Sequence, residues 1–173
     1  MKNKLTIPFY SLLLSLCITL ISSGKLCAQE NGIYEIENNN SLSKETAKKS
    51  KGNNREDFYN LAYKLHPTSY AENKSIKKVN NSAKVSKLTF NDSNSFNVIN
   101  QTNSNFNDVE LITIKLNSVA DLNNKLDLTD ANGFNNLKYV YIKCSFKCTE
   151  TQIKQFINSD SNVRVFYKIE IPS

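Results

Sequence analysis

The sequence predicts a small α/β domain, or α+β on a coarser reading. It would be a mainly parallel three-stranded sheet with two crossovers in the C-terminal third, preceded by a largely disordered polar region. Three observations predict it. Runs rich in β-branched and aromatic residues occupy 109–116, 137–144 and 163–171, beginning at intervals of 28 and 26 residues. Helical patterning fills the gaps, as expected of parallel strands joined by crossovers. Upstream of 109, Asn, Ser and Lys dominate, a mixture too polar to bury much surface.

The second crossover is the clearer one. Thr149-Glu-Thr-Gln152 forms a capping box. Ile153, Phe156 and Ile157 follow as one apolar stripe, and residues 158–162 (NSDSN) end the helix and turn the chain. In the first crossover Ser118 can cap a short helix using Val119, Leu122 and Leu126, with 126–133 irregular and Gly133 at a turn.

Alternation assigns the faces of the strands. Ile112, Ile114, Leu116, Val140, Ile142, Cys144, Val163, Val165, Tyr167 and Ile169 should meet the crossovers. The opposite face would carry Leu111, Thr113, Lys115, Tyr139, Tyr141, Lys143, Phe166 and Lys168. A parallel sheet usually has both faces covered. The helical stripe Phe58, Leu61, Ala62 and Leu65, or strands within 85–99, would supply the cover. Left uncovered, Tyr139, Tyr141, Phe166, Lys143 and Lys168 would form an aromatic and basic binding face.

Residues 134–144 (FNNLKYVYIKC) resemble one unit of a leucine-rich repeat. The resemblance covers a single unit. Its neighbours lack the leucines, and a solenoid needs at least about three repeats, so no solenoid is expected.

Upstream, the chain divides into 1–28, a signal peptide; 29–54, a disordered polar linker; and 55–108, an Asn/Ser/Lys-rich region with one short helix and a hairpin from 85–90 and 96–99. The signal has a basic start, an apolar stretch and a small residue at the cut, with cleavage after Ala28. An uncleaved anchor is the rival, and lipidation at Cys17 or Cys27 fits poorly. Cleavage would lower the net charge from +6 to +3, since 1–28 holds only Lys2, Lys4 and Lys25 as charged side chains. Residues 44–87 carry eleven basic residues against four acidic ones. The basic segment 74–87 lacks Arg and interleaved aromatics, and reads as solvated loop rather than a nucleic-acid surface.

In an exported chain only Cys144 and Cys148 remain, where a bridge can persist. A disulfide closing the strand-to-helix turn is the first reading. The alternative is a thiol–disulfide factor, in which Lys147 and the nearby helix start would lower a thiol pKa. His66 precedes Pro67 at a helix end and reads as a turn residue; Asp121, Asp127 and Asp130 read as caps and loop residues. There is no phosphate loop, nucleophile elbow or zinc motif. No metal and no cofactor are implied. The expectation is a bacterial exported protein, secreted or periplasmic, non-enzymatic and acting as an interaction module. Its partner would be another exported protein or a cell-surface component, with no membrane span after signal cleavage.

Overall fold

Runs that alternate apolar residues toward one side pair side by side, and together they build a mixed α/β fold on a mostly parallel sheet. The computed structural model describes residues 32–36, 54–78, 84–100, 106–129, 131 and 133–171. The main sheet has seven strands: β1 (Ile33–Glu35), β2 (Thr68–Glu72), β3 (Ser75–Lys78), β4 (Lys87–Phe90), β5 (Leu111–Leu116), β7 (Tyr139–Cys144) and β9 (Arg164–Ile169). Their spatial order is β1-β9-β7-β5-β4-β2-β3. All neighbours are parallel except β2 and β3, which form an antiparallel hairpin. Two further short strands, β6 (Leu126–Asp127) and β8 (Ile157–Asn158), pair in parallel across the two crossovers that the sequence indicated.

The three expected strands are present at the centre, and four more flank them. β2, β4, β5, β7 and β9 lie side by side in chain order, so the sheet advances one strand at a time. The inward positions are filled by Ser69 and Ala71, Leu88 and Phe90, Ile112 and Ile114, Val140 and Ile142, Val165 and Tyr167.

The boundary expected at 109 also falls away. β4 pairs with β5 across it, and both belong to one unit, Asn31–Ser173. Residues 33–35, placed in the polar linker, form an edge strand on β9. Residues 75–78, read as solvated loop, are β3. The expected hairpin of 85–90 and 96–99 is absent: β4 is followed by the 3₁₀ segment Ser93–Asn100. The signal peptide and residues 37–53 lie outside the described residues. Among the described residues no helix is long and apolar enough to cross a membrane.

One face of the sheet packs on the crossovers. Phe96, Val98 and Ile99 from the 3₁₀ segment join Ile153 and Phe156 from α2 (Glu150–Phe156) against Leu88, Phe90, Ile112, Ile114, Val140, Ile142 and Val165. α2 is capped as its sequence requires: Thr149 Oγ1 accepts from the Gln152 N–H at 3.3 Å, and Gln152 Oε1 accepts from the Thr149 N–H at 2.9 Å. The first crossover holds the short 3₁₀ turn Val119–Asn123. Its Val119 faces solvent, whereas Leu126 is buried in β6. The other face is covered by α1 (Asn54–Tyr63), whose Phe58 and Leu61 pack on Leu111, Tyr139, Tyr141 and Phe166.

Candidate binding face

The strand register turns the outer face into rows. Leu111 pairs with Tyr139 and Tyr139 with Arg164; Thr113 with Tyr141 and Tyr141 with Phe166; Lys115 with Lys143 and Lys143 with Lys168. Alternation puts all three rows on one side of the sheet. α1 sits over the first two. Phe58, fully buried, contacts Tyr139, Tyr141 and Phe166 edge-on or stacked, with centroids 5.7, 5.5 and 4.1 Å away. The Tyr63 and Tyr141 hydroxyls meet at 3.0 Å. Burial, then the Tyr63 hydroxyl, pushes the Tyr141 phenol far above its ordinary value. Tyr139, Tyr141 and Phe166 are therefore core, and the aromatic half of the face expected to bind is closed by the helix.

The lysine row remains at the margin of that cover. Lys115 is exposed, and the Lys143 and Lys168 side chains keep 32% and 20% of their surface. Adjacent strands are about 4.8 Å apart, and like charges directly opposite one another are destabilising. One carboxylate moderates the row: Glu170 accepts from Lys143 Nζ at 3.1 Å and lies 3.2 Å from Lys168 Nζ. Burial works to raise the Glu170 pKa, but the two ammonium groups outweigh it and hold the carboxyl below its usual range. Lys143 Nζ also lies 5.5 Å from the Tyr141 ring centre, a cation–π approach. No carboxylate among the described residues pairs with Lys115. Lys87, on the same side of β4, has its pKa lowered by burial and then by the charge of Lys143. The strip carries more positive charge than Glu170 neutralises.

Cys144 ends β7 and Cys148 directly precedes the cap of α2. The strand break brings their sulfurs to 2.9 Å, both buried and both free thiols. The expected lowering of a thiol pKa by Lys147 is overturned. Burial raises both, and Cys144 is raised strongly, first by burial and then by its contact with Cys148. Lys147 itself points to solvent.

Asp121 organises the loops after β4 and β5. Its carboxylate accepts from Ser93 Oγ at 2.8 Å and from the backbone N–H groups of Asn117 and Ser118 at 2.9 Å. Asp127 caps its own turn, accepting from the Thr129 N–H, and binds Asn158 across the β6–β8 pair. His66 Nε2 lies 3.2 Å from the Asn60 carbonyl at the end of α1. Asp130 is outside the described residues. Among those residues no three His, Cys, Asp or Glu side chains converge as a metal site requires.

Sequence reasoning named Lys143 and Lys168 but passed over Glu170 and Lys87. The signal for Glu170 was available, because it follows Lys168 by two residues and so shares its side of β9 when the strand continues. Lys87 lay within the expected strand 85–90, but nothing placed that strand beside 111–116 until β4 was seen to pair with β5. No protein-family model, curated protein or solved structure matches the chain.

Proposed function

We propose that this is an exported, non-enzymatic binding module that meets an acidic partner through the strip Lys115, Lys143 and Lys168. The observation that carries the reading is their registration on three neighbouring strands against the single carboxylate of Glu170. Cations in register cost folding free energy. A row of them beside a well-packed helix is economical only if it recognises negative charge. Export follows from the signal pattern of residues 1–28, and in an oxidising compartment the two thiols would close into a structural disulfide. The thiol–disulfide factor is the weaker reading, because both sulfurs are buried and neither thiol is activated.

The test compares Lys115→Glu/Lys143→Glu in the full chain with Lys77→Glu/Lys84→Glu, an equal charge change elsewhere. Each is titrated with an acidic polysaccharide, a single-stranded oligodeoxynucleotide and vesicles containing anionic phospholipid. Loss of binding to any probe in the strip variant alone supports the reading. Equal behaviour of both variants toward all three probes overturns it.

A further inference from the structure

Resting on that reading, we infer that the strip holds a linear acidic polysaccharide laid across the strands, one anionic group to each ammonium. The three lysines lie in a row perpendicular to β5, β7 and β9, since each is the register partner of the next. Their spacing is therefore the strand spacing, about 4.8 Å. A polymer with a carboxylate or sulfate on every sugar unit offers several anionic groups on one flexible chain, so one molecule can meet all three ammonium groups. A single small anion would engage one or two ammonium groups and leave Lys115 or Lys168 idle.

The chemistry around the row fits a sugar chain better than the other polyanions. Asn117 and Ser118 are exposed just beyond Lys115, and Ser145 is half-exposed just beyond Cys144 on the neighbouring strand. These neutral amide and hydroxyl groups suit sugar hydroxyls. Single-stranded nucleic acid wants free aromatic rings on which bases stack. Beside this row Tyr141 is buried, and Tyr63, half exposed, is the one ring near the surface among the described residues, already stacked on Tyr59 and hydrogen-bonded to Tyr141. No arginine stands in the row, so the planar fork that grips phosphate in two places is missing. A bilayer surface would want a cluster of apolar side chains beside the charges; Val119 and Ile171 are exposed on the flanking segments, but singly, and Asn117, Ser118 and Ser145 stand next to the row.

The experiment titrates the full chain with polygalacturonate, galacturonate monomer, a single-stranded oligodeoxynucleotide and vesicles of phosphatidylcholine with phosphatidylglycerol. The polymer should bind and the monomer should not. Lys115→Gln/Lys143→Gln/Lys168→Gln should weaken polymer binding about tenfold, the combined effect of three partly exposed ion pairs. Glu170→Gln removes the competing carboxylate and should tighten it about threefold. Should the triple variant fold poorly, Lys115→Gln alone serves, since that side chain is exposed and carries no ion pair among the described residues; about a twofold loss is expected. Strip-dependent binding that is as strong for the monomer overturns the inference. So does tighter strip-dependent binding of the oligonucleotide or the vesicles, although the binding-module reading then survives. Absence of strip-dependent polymer binding also overturns it.

Discussion

Phe58 lies on Phe166 with ring centroids 4.1 Å apart and planes inclined by 24°. Through this pair, and the edge contacts of Phe58 with Tyr139 and Tyr141, one side chain ties α1 to two strands. A helix of 10 residues is marginal by itself in water. Its place on the sheet depends on what it buries, and among its described residues only Phe58 and Leu61 are buried there.

Phe58→Ala should therefore cost about 3–5 kcal/mol of folding stability and release the helix before the sheet unfolds. Urea denaturation measures the first, and limited proteolysis the second, as cleavage within residues 54–63 under conditions where the intact protein resists. A loss below about 1 kcal/mol, an ordinary surface effect, would show that the helix is held by something else. Phe58→Leu should cost less, because it keeps most of the apolar volume while losing the ring stack.

The covered tyrosines give the protein an alkaline limit. Tyr139, Tyr141 and Tyr167 are all raised, in each case first by burial; Tyr141 is raised further by the Tyr63 hydroxyl and Tyr167 by its hydrogen bond to Glu35. Unfolded tyrosine ionises near pH 10. Above that value the folded state keeps protons that the unfolded state releases, so stability falls as pH rises. It is fully present below about pH 10 and declines by about 1.4 kcal/mol per pH unit for each phenol held neutral. Tyr141→Phe should cost about 1 kcal/mol at neutral pH through the lost hydroxyl pair. That deficit should shrink as pH climbs past 10, seen as a shallower slope of urea midpoint against pH. An unchanged slope would mean Tyr141 ionises freely.

How much of this could be read from the residues depended on how strongly each position alternated. Ile112, Ile114, Val140 and Ile142 announce an inward face, and the spacing of Phe58, Leu61 and Ala62 announces a helix with one side to bury. Both readings hold in the structure. β2 was hidden because its inward residues are as small as Ser69 and Ala71, and β3 because Ile76 is its one apolar residue. Their turn is also built without glycine: Asn73 and Lys74 adopt φ of 52° and 59°. The strain is offset by hydrogen bonds from their N–H groups to Asp92 and to Ser95 Oγ, both at 2.9 Å. Those partners lie about twenty residues away, beyond the reach of local pattern. Phe96 and Val98 look like strand alternation. In the folded chain the relevant spacing is Phe96 to Ile99, because a 3₁₀ segment eclipses i and i+3. The site was legible by half. Lys115, Lys143 and Lys168 share a face on the strand reading, but their direct registration needed the strand pairing, and the choice of α1 over residues 85–99 as the cover needed its packing on Tyr139, Tyr141 and Phe166.

Acid stability should depend on Asp121. Burial works to raise its pKa, but hydrogen bonds from Ser93, Ser118 and Asn117 outweigh it and hold the carboxyl below its ordinary value. A carboxylate so held stabilises the fold above its unfolded value, near pH 3.9, and that contribution fades as pH falls through the lower folded value. Asp121→Ala leaves four donors without their acceptor and should cost about 1–3 kcal/mol near pH 7. The difference from the unaltered protein should narrow below about pH 4. Thermal denaturation across pH 2–7 checks both the size and the direction. A difference independent of pH would assign the loss to packing rather than to the charge.

The two cysteines should set which titration appears first on the alkaline side. With their sulfurs 2.9 Å apart, oxidation needs less than an ångström of closure to the bond length of about 2.05 Å. Each thiol gives up a proton and an electron to a disulfide oxidant, such as oxidised glutathione, which is reduced to two thiols. The bridge closes a loop of only five residues, 144–148, and should add about 2 kcal/mol on the chain-entropy model. In the reduced protein burial raises both thiols, whereas unfolded cysteine ionises near pH 8.5. Stability of the reduced form should thus begin to fall near pH 8.5, and that of the oxidised form only near pH 10, where the tyrosines take over. Urea midpoints measured from pH 7 to 11 with and without reductant separate the two onsets. Coincident curves would mean that the thiols are not held neutral by the fold or that the bridge does not form.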